Sequence, residues 1–284
     1  MSLRTVGPVA ETRAAVAALR KGGRSVALVP TMGALHEGHL ALVARARELA
    51  DAVVASVFVN PLQFGPAEDF DRYPRTLEQD RAVLDAAGVD LLFAPAVSDM
   101  YPDGGVQVSV HAGPVGDELE GAVRPGHFDG MLTVVAKLLH IVAPDEVLFG
   151  RKDAQQVFLV RRMVADLDLP VHVETVPTVR EEGGLARSSR NRFLSPEGRR
   201  AALALSAALA AAVRVAPGAD ASTALAAARA VLDQEPSLAV DYLVAVDPAS
   251  FRPVDDRYRG AALVLVAARV GGTRLIDNEP VRFG

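Results

Sequence analysis

The chain has 284 residues, half of them hydrophobic and 23% charged, with a net charge of -5. That composition fits one large or two modest packed domains, rules against disorder and argues against a broad nucleic-acid-binding face. With no cysteine, disulfides, thiolate metal sites and thiol nucleophiles are excluded.

Arg13, Arg20 and Lys21 interrupt the apolar core that a signal peptide needs. No uncharged apolar run reaches the roughly 20 residues that span a bilayer, so a soluble, cytoplasmic protein is expected. Of the 30 basic residues only Lys21, Lys137 and Lys152 are lysines. Base composition explains such a bias, but a lysine in a conspicuous loop also offers a compact ammonium charge.

In chain order, residues 10–21 read as a helix and Ser25–Pro30 as a short buried strand, followed by a glycine-containing turn, Thr31–Gly38. A helix is expected over Leu40–Ala50, a strand over Ala52–Val59, a helix over Leu77–Ala87 and a strand over Val89–Ala94. Met131–Val142 reads as a helix, Glu146–Phe149 as a strand, Ala154–Ala165 as a helix and Val171–Val179 as a strand. Apolar strands alternating with helices predict a Rossmann-like parallel sheet with helices on both faces and right-handed crossovers. After about residue 180 the pattern changes. Ser195–Val213 and Ala221–Leu232 are alanine-rich helices, each with a starting serine, Ser195 and Ser222. Ala239–Val246, Ala261–Arg269 and Thr273–Ile276 read as strands, the last two joined by a Gly271–Gly272 hairpin. The expected organisation is a nucleotide-binding domain over 1–180 and a smaller α+β domain over 181–284.

Four loops carry chemistry. The first is Pro30-Thr31-Met32-Gly33-Ala34-Leu35-His36-Glu37-Gly38-His39. It lies beyond the carboxyl end of a strand and feeds a helix N-terminus, where N–H groups and the helix dipole favour phosphate. His36 and His39 are three residues apart and point the same way on a helical turn. Gly38 leaves the backbone open to a flat ring or ribose. A zinc pair and two ordinary surface histidines are the other readings, although histidines 111, 127, 140 and 172 show no matching spacing.

The second loop, Val57-Phe58-Val59-Asn60-Pro61-Leu62-Gln63-Phe64, brings the amides of Asn60 and Gln63 to the same edge, where they could fix hydroxyls and a carboxylate. A plain Asn-Pro turn is the alternative. The third, Phe149-Gly150-Arg151-Lys152-Asp153-Ala154-Gln155-Gln156, opens another helix. It places Lys152 at a phosphate-facing position, with Asp153 as a possible cap. The fourth, Gly183-Gly184-Leu185-Ala186-Arg187-Ser188-Ser189-Arg190-Asn191, offers hydroxyls and guanidinium for a polyphosphate, or is simply a linker.

These strings resemble one family. His36-Glu37-Gly38-His39 resembles the HIGH motif of the nucleotidyltransferase superfamily. The longer PTMGALHEGHL, with FVNPLQF, FGRKDAQQ, SSRN and the late Leu275-Ile276-Asp277-Asn278, resembles the pantothenate synthetase (pantoate–β-alanine ligase) family over nearly the whole chain. The resemblance implies an enzyme that activates pantoate with Mg-ATP as pantoyl adenylate and transfers it to β-alanine, releasing pyrophosphate and AMP. It implies that His36, His39, Lys152, Ser188, Ser189 and Arg190 are catalytic, with His39 as proton donor. ATP would touch Met32, Gly33, Ala34, Leu35, His36, Glu37, Gly38, His39, Gly150, Arg151, Lys152, Asp153, Val179, Arg187, Ser188, Ser189 and Arg190. Asn60, Gln63, Arg124 and Gln156 would hold pantoate or β-alanine, Asp80 would belong to the magnesium shell, and the chain would be a homodimer. Arg151 and Arg187 depart from the family pattern, which often has an acid and an apolar residue at those places. Another transferase of the superfamily, and a nucleotide sensor without turnover, remain as alternative readings.

Overall fold

A computed structural model describes residues 3–65 and 70–284. Two compact units emerge. One comprises residues 1–150 and 159–176, the other residues 151–158 and 177–284.

In the first unit the strands are β1 (Arg4–Val6), β2 (Val26–Thr31), β3 (Ala52–Val57), β4 (Leu91–Phe93), β5 (Glu146–Gly150) and β6 (His172–Val176). They form one sheet in the order β1-β4-β3-β2-β5-β6, with every pairing parallel. The near-continuous Val, Leu and Ala runs of β2 and β3 are buried, as a strand covered on both faces requires. Pro30 sits in β2 beyond the last residues paired with β5, so its missing N–H breaks no bond on that side. The order reverses at β2: the chain moves outward through β3 and β4, then returns to place β5 on the other side. Because β2 and β5 are parallel neighbours, with Leu28 opposite Val147, the chain leaves both at one edge of the sheet. This is the switch point where ligands bind in such sheets.

The helices of this unit are α1 (Val9–Leu19), α2 (Glu37–Leu49), α3 (Leu77–Ala86), α4 (Val97–Met100), α5 (Glu120–Val123) and α6 (His127–Val142), while α7 (Ala154–Asp166) runs through both units. Leu42, Val43 and Ala46 of α2 pack on Ala27, Val29 and Val53 of the sheet. The expectation for α6 began four residues late, at Met131, because Gly130 reads as a helix breaker. A Cβ there would meet the Leu62 carbonyl oxygen at 2.1 Å. The glycine lets α6 lie against the turn that carries Gln63. Strand β1 went unread because three residues carry no period.

In the second unit α8 (Pro196–Val215) and α9 (Ala221–Leu232) pack against an antiparallel sheet of β7 (Leu238–Val246), β8 (Gly260–Val270) and β9 (Thr273–Phe283). Ser195 caps α8 by accepting from Gly198 N–H at 3.0 Å, with Pro196 in the first turn. Ser222 does not start α9. Asp220 does, accepting from Thr223 N–H at 2.9 Å, and the Ser222 hydroxyl donates to Asp220. A carboxylate caps as well as a hydroxyl and sits at the correct offset. Gly271–Gly272 makes the expected hairpin, but β9 runs to Phe283 rather than stopping at Ile276. Asp277, Asn278, Glu279 and Pro280 are poor strand formers. They lie on an edge strand whose β8 partners, Val266 to Leu263, are strong ones. No helix among the described residues is long and apolar enough to cross a membrane.

Candidate active site

The turn between β2 and α2 is held from below. Gly33 and Ala34 are both left-handed, with φ of 83° and 52°, which aims consecutive N–H groups to one side. The Asp80 carboxylate, 3% exposed, takes them: Oδ2 accepts from Ala34 N–H at 3.0 Å and Oδ1 from Leu35 N–H at 2.9 Å. Thr76 Oγ1 donates to the same carboxylate at 3.0 Å. A Cβ on Gly33 would sit 2.9 Å from Asp80 Oδ2. Asp80 thus anchors the turn, three donors taking most of its acceptor positions. The N–H groups of Ala34 and Leu35 are committed to that carboxylate. Among the described residues, no group of three or more His, Asp or Glu side chains is placed to hold a metal ion.

The two histidines close the turn onto α2. His36 is the N-cap, and its Nδ1 accepts from Gly38 N–H at 3.1 Å. His39 reaches back, its Nδ1 accepting from His36 N–H at 3.3 Å. The rings lie 4.1 Å apart, centroid to centroid. Both Nδ1 atoms accept from backbone donors, so in the neutral rings the proton resides on Nε2. The pair therefore presents two Nε2–H donors beside a helix N-terminus. The reciprocal capping is that of a capping box built from imidazoles.

Asn60 is 1% exposed and fully committed. Its Nδ2 donates to Gln63 Oε1 at 3.1 Å and to Gly130 O at 3.0 Å. Its Oδ1 accepts from Leu62 N–H at 3.3 Å and from Tyr101 Oη–H at 2.7 Å. That fills every position a primary amide has. Asn60 thus orients Gln63 instead of meeting a substrate itself. With Oε1 occupied, Gln63 turns its Nε2 toward Met32, donating to Sδ at 3.3 Å.

Tyr101 was not singled out in the sequence. Burial pushes its hydroxyl well above the ordinary tyrosine value, so it stays a donor. The Lys137 ammonium lies 5.5 Å from its ring centre. Behind Gln63, His127 Nδ1–H donates to the Gln63 carbonyl at 2.9 Å and Arg124 donates to His127 Nε2 at 2.9 Å. Arg124 also lies 3.4 Å from that carbonyl. The structure brings together Met32, Asn60, Gln63 and Arg124.

In the second unit, Gly150's successors Arg151, Lys152 and Asp153 form the turn before α7, and Asp153 O accepts from Val157 N–H. Lys152 is half-buried, and Gln156 lies in the first turn of α7, also half-buried. Residues 180–187 make a small hairpin: Arg180 bridges Ala186 and Val179 O accepts from Arg187 N–H at 2.9 Å. Gly183 and Gly184, with φ of 92° and 102°, turn it. Ser188 then caps the short 3-10 turn Ser189–Phe193 by accepting from Arg190 N–H at 3.3 Å. Both departures from the family pattern face an acid. Arg151 lies 3.5 Å from Glu279, which also holds Arg180, and Arg187 lies 3.7 Å from Glu181, which also pairs with Arg199.

A family model for pantoate-beta-alanine ligase matches residues 4–280. The chain belongs to the pantoate-beta-alanine ligase family. It is 59% identical to a pantothenate synthetase of Leifsonia xyli subsp. xyli over 256 residues, covering 90% of this chain and 88% of that one. With a pantothenate synthetase of Acidothermus cellulolyticus it shares 56% over 283 residues, 98% of this chain and 91% of the other. Its fold matches the crystal structure of pantothenate synthetase from Thermus thermophilus with a TM-score of 0.91 and 55% identity, covering 97% and 98%. The Francisella tularensis pantoate-beta-alanine ligase, solved with beta-gamma ATP and beta-alanine, matches with a TM-score of 0.80 and 32% identity over 98% and 97%. The chain is accordingly a ligase that joins pantoate to β-alanine.

Proposed function

We propose that this ligase works through a pantoyl adenylate formed from ATP. The carrying observation is the imidazole pair: two Nε2–H donors, fixed by backbone capping, at the edge where β2 and β5 end. Charge that builds on a leaving pyrophosphate needs such preset donors. The Francisella relative's complex with beta-gamma ATP and beta-alanine supports the same reading.

In the first step a pantoate carboxylate oxygen bonds to the α-phosphorus of ATP and the bond to the pyrophosphate oxygen breaks. His36, His39, Lys152, Ser188, Ser189 and Arg190 stabilise the departing charge. His39, with its proton on Nε2, is the donor to phosphate oxygen. In the second step the β-alanine amine bonds to the acyl carbon, the AMP oxygen leaves, and the amine loses a proton. No protein nucleophile is required, since positioning and charge stabilisation carry both steps. Gln63, oriented by Asn60, and Gln156 hold pantoate, and Arg124 steadies the Gln63 turn. Met32, Gly33, Ala34, Leu35, Glu37, Gly38, Gly150, Arg151, Asp153, Val179 and Arg187 line the nucleotide's path.

Asp80 already accepts three hydrogen bonds, and among the described residues no two further His, Asp or Glu side chains join it, so it makes no magnesium cage by itself. Magnesium is proposed to arrive on the ATP phosphates, which supply much of its preferred oxygen shell. No step above depends on a protein ligand to it. A homodimer and a cytoplasmic setting complete the proposal; sedimentation and cell fractionation test them.

Isotope exchange between pyrophosphate and ATP tests the chemistry. Exchange that requires pantoate and needs no β-alanine supports the adenylate. Exchange that requires a different acid supports another transferase, and nucleotide binding without exchange supports a sensor.

A further inference from the structure

Strand β9 carries an unusual run for its length: Asp277, Asn278 and Glu279, with Asp277 4% and Asn278 1% exposed. Buried amides and carboxylates of this kind are costly unless satisfied; Asn278 Oδ1 is buried without a hydrogen-bond partner, while its Nδ2 and the two carboxylates find theirs in two loops of the same unit. Asn278 Nδ2 donates to the Lys152 carbonyl at 2.8 Å and to the Arg151 carbonyl at 2.9 Å. Successive carbonyls in extended chain point to opposite sides. One amide takes both only where the backbone turns, as it does between Gly150 and Ala154. Asp277 holds Arg180 through two bonds, of 2.6 and 3.1 Å, and Glu279 holds the same guanidinium at 2.6 Å. Arg180 in turn donates to the Gly184 carbonyl at 3.0 Å, at the tip of the hairpin that leads to Ser188, Ser189 and Arg190. Glu279 also faces Arg151.

We propose that Asn278 is a positioning residue for adenylation, setting the peptide from which the Lys152 side chain projects, while Asp277 and Glu279 clamp the root of the serine–arginine loop. This rests on the reading of Lys152 as a phosphate ligand. One strand thereby fixes two polyphosphate-handling loops that lie 97 and 126 residues before it in the chain. The chemistry of the residue follows from its duty. Two carbonyls need two donors on one short side chain, which asparagine supplies. Aspartate has the same shape but offers only acceptors, so it would set like dipoles against each other.

The full-length enzyme decides the matter in two assays. In pantoate-dependent exchange, Asn278→Ala should lower kcat about tenfold and Asn278→Asp about thirtyfold or more, both with the pantoate KM unchanged within twofold. In calorimetric binding of a non-hydrolysable ATP analogue, Asn278→Ala should raise Kd about fivefold in the Lys152 enzyme and less than twofold in a Lys152→Ala background. Equal effects in both backgrounds, an unchanged kcat, or a shift in pantoate KM alone would overturn the inference. If Asn278→Asp does not fold, Asn278→Ala decides. If neither folds, Asn278 is a folding residue and the inference falls. Lys152→Ala with full exchange activity would instead remove the reading of Lys152 on which the inference stands.

Discussion

Asp80 reaches across 46 positions of sequence to accept the backbone N–H of Ala34 at 3.0 Å. The turn that presents the two histidines is therefore shaped by a residue on a different helix. Ala34 holds a positive φ of 52°, a conformation that a non-glycine residue keeps only when its surroundings impose it. Replacing Asp80 by Asn exchanges one acceptor for an NH2 group facing N–H donors. Hydrogen bonds to a charged group are worth about 2 kcal/mol. Asp80→Asn should thus lower kcat/KM for ATP about thirtyfold while far-ultraviolet circular dichroism stays unchanged. Steady-state kinetics checks it, and a variant with wild-type ATP kinetics would show that the clasp has no catalytic consequence.

Tyr101 acts one step further from the substrate. Its hydroxyl donates to Asn60, which donates to Gln63. Tyr101→Phe removes one of four bonds that hold the Asn60 amide, about 1 kcal/mol. The expected result is a five- to tenfold rise in pantoate KM with the ATP KM unchanged. Because burial raises the Tyr101 pKa, the hydroxyl stays protonated as pH rises through the usual assay range. The wild-type pantoate KM should therefore show no alkaline limb from this group.

Gly130→Ala tests the seating of α6 on the Gln63 turn. The new Cβ would lie 2.1 Å from the Leu62 carbonyl oxygen and 2.8 Å from Gln63 N, backbone atoms that move only together. Overpacking of this kind costs about 3 kcal/mol, or a fall in Tm of about 5–10 °C for a chain of this size. Calorimetry measures it, and pantoate affinity should fall in the same variant.

Glu181 supplies a pH signature. Burial raises its carboxyl pKa, but hydrogen bonds from Asn191 and Arg199 and the charges of Arg199 and Arg187 outweigh that and leave it below the ordinary value. A depressed acid contributes stability above its unfolded pKa and loses it as pH falls through the folded one. Glu181→Gln should therefore lower Tm at neutral pH, and the difference from wild type should shrink as the solution is acidified below the usual glutamate range. A difference independent of pH would contradict the pairing.

The parallel sheet was legible because β2, β3 and β5 are apolar runs separated by helical periods, and the site loops because their strings are specific. The supports were not legible. Asp80 looks like first-turn helix charge and Tyr101 like a core aromatic. Asn278 sits beyond the point where β-propensity fails. Each gains its meaning from a partner 41 to 126 residues away, a separation that no local period records. Asn60 was assigned to substrate for the same reason. Its four partners, Leu62, Gln63, Tyr101 and Gly130, come together only when α6 closes on the turn.

The adenylate is the claim on which the rest depends, and oxygen transfer tests it most directly. With pantoate labelled by 18O in its carboxylate, one turnover should place a single 18O in the phosphate of AMP and none in pyrophosphate. Label in orthophosphate, or AMP that carries none, would mean that the carboxylate does not attack the α-phosphorus.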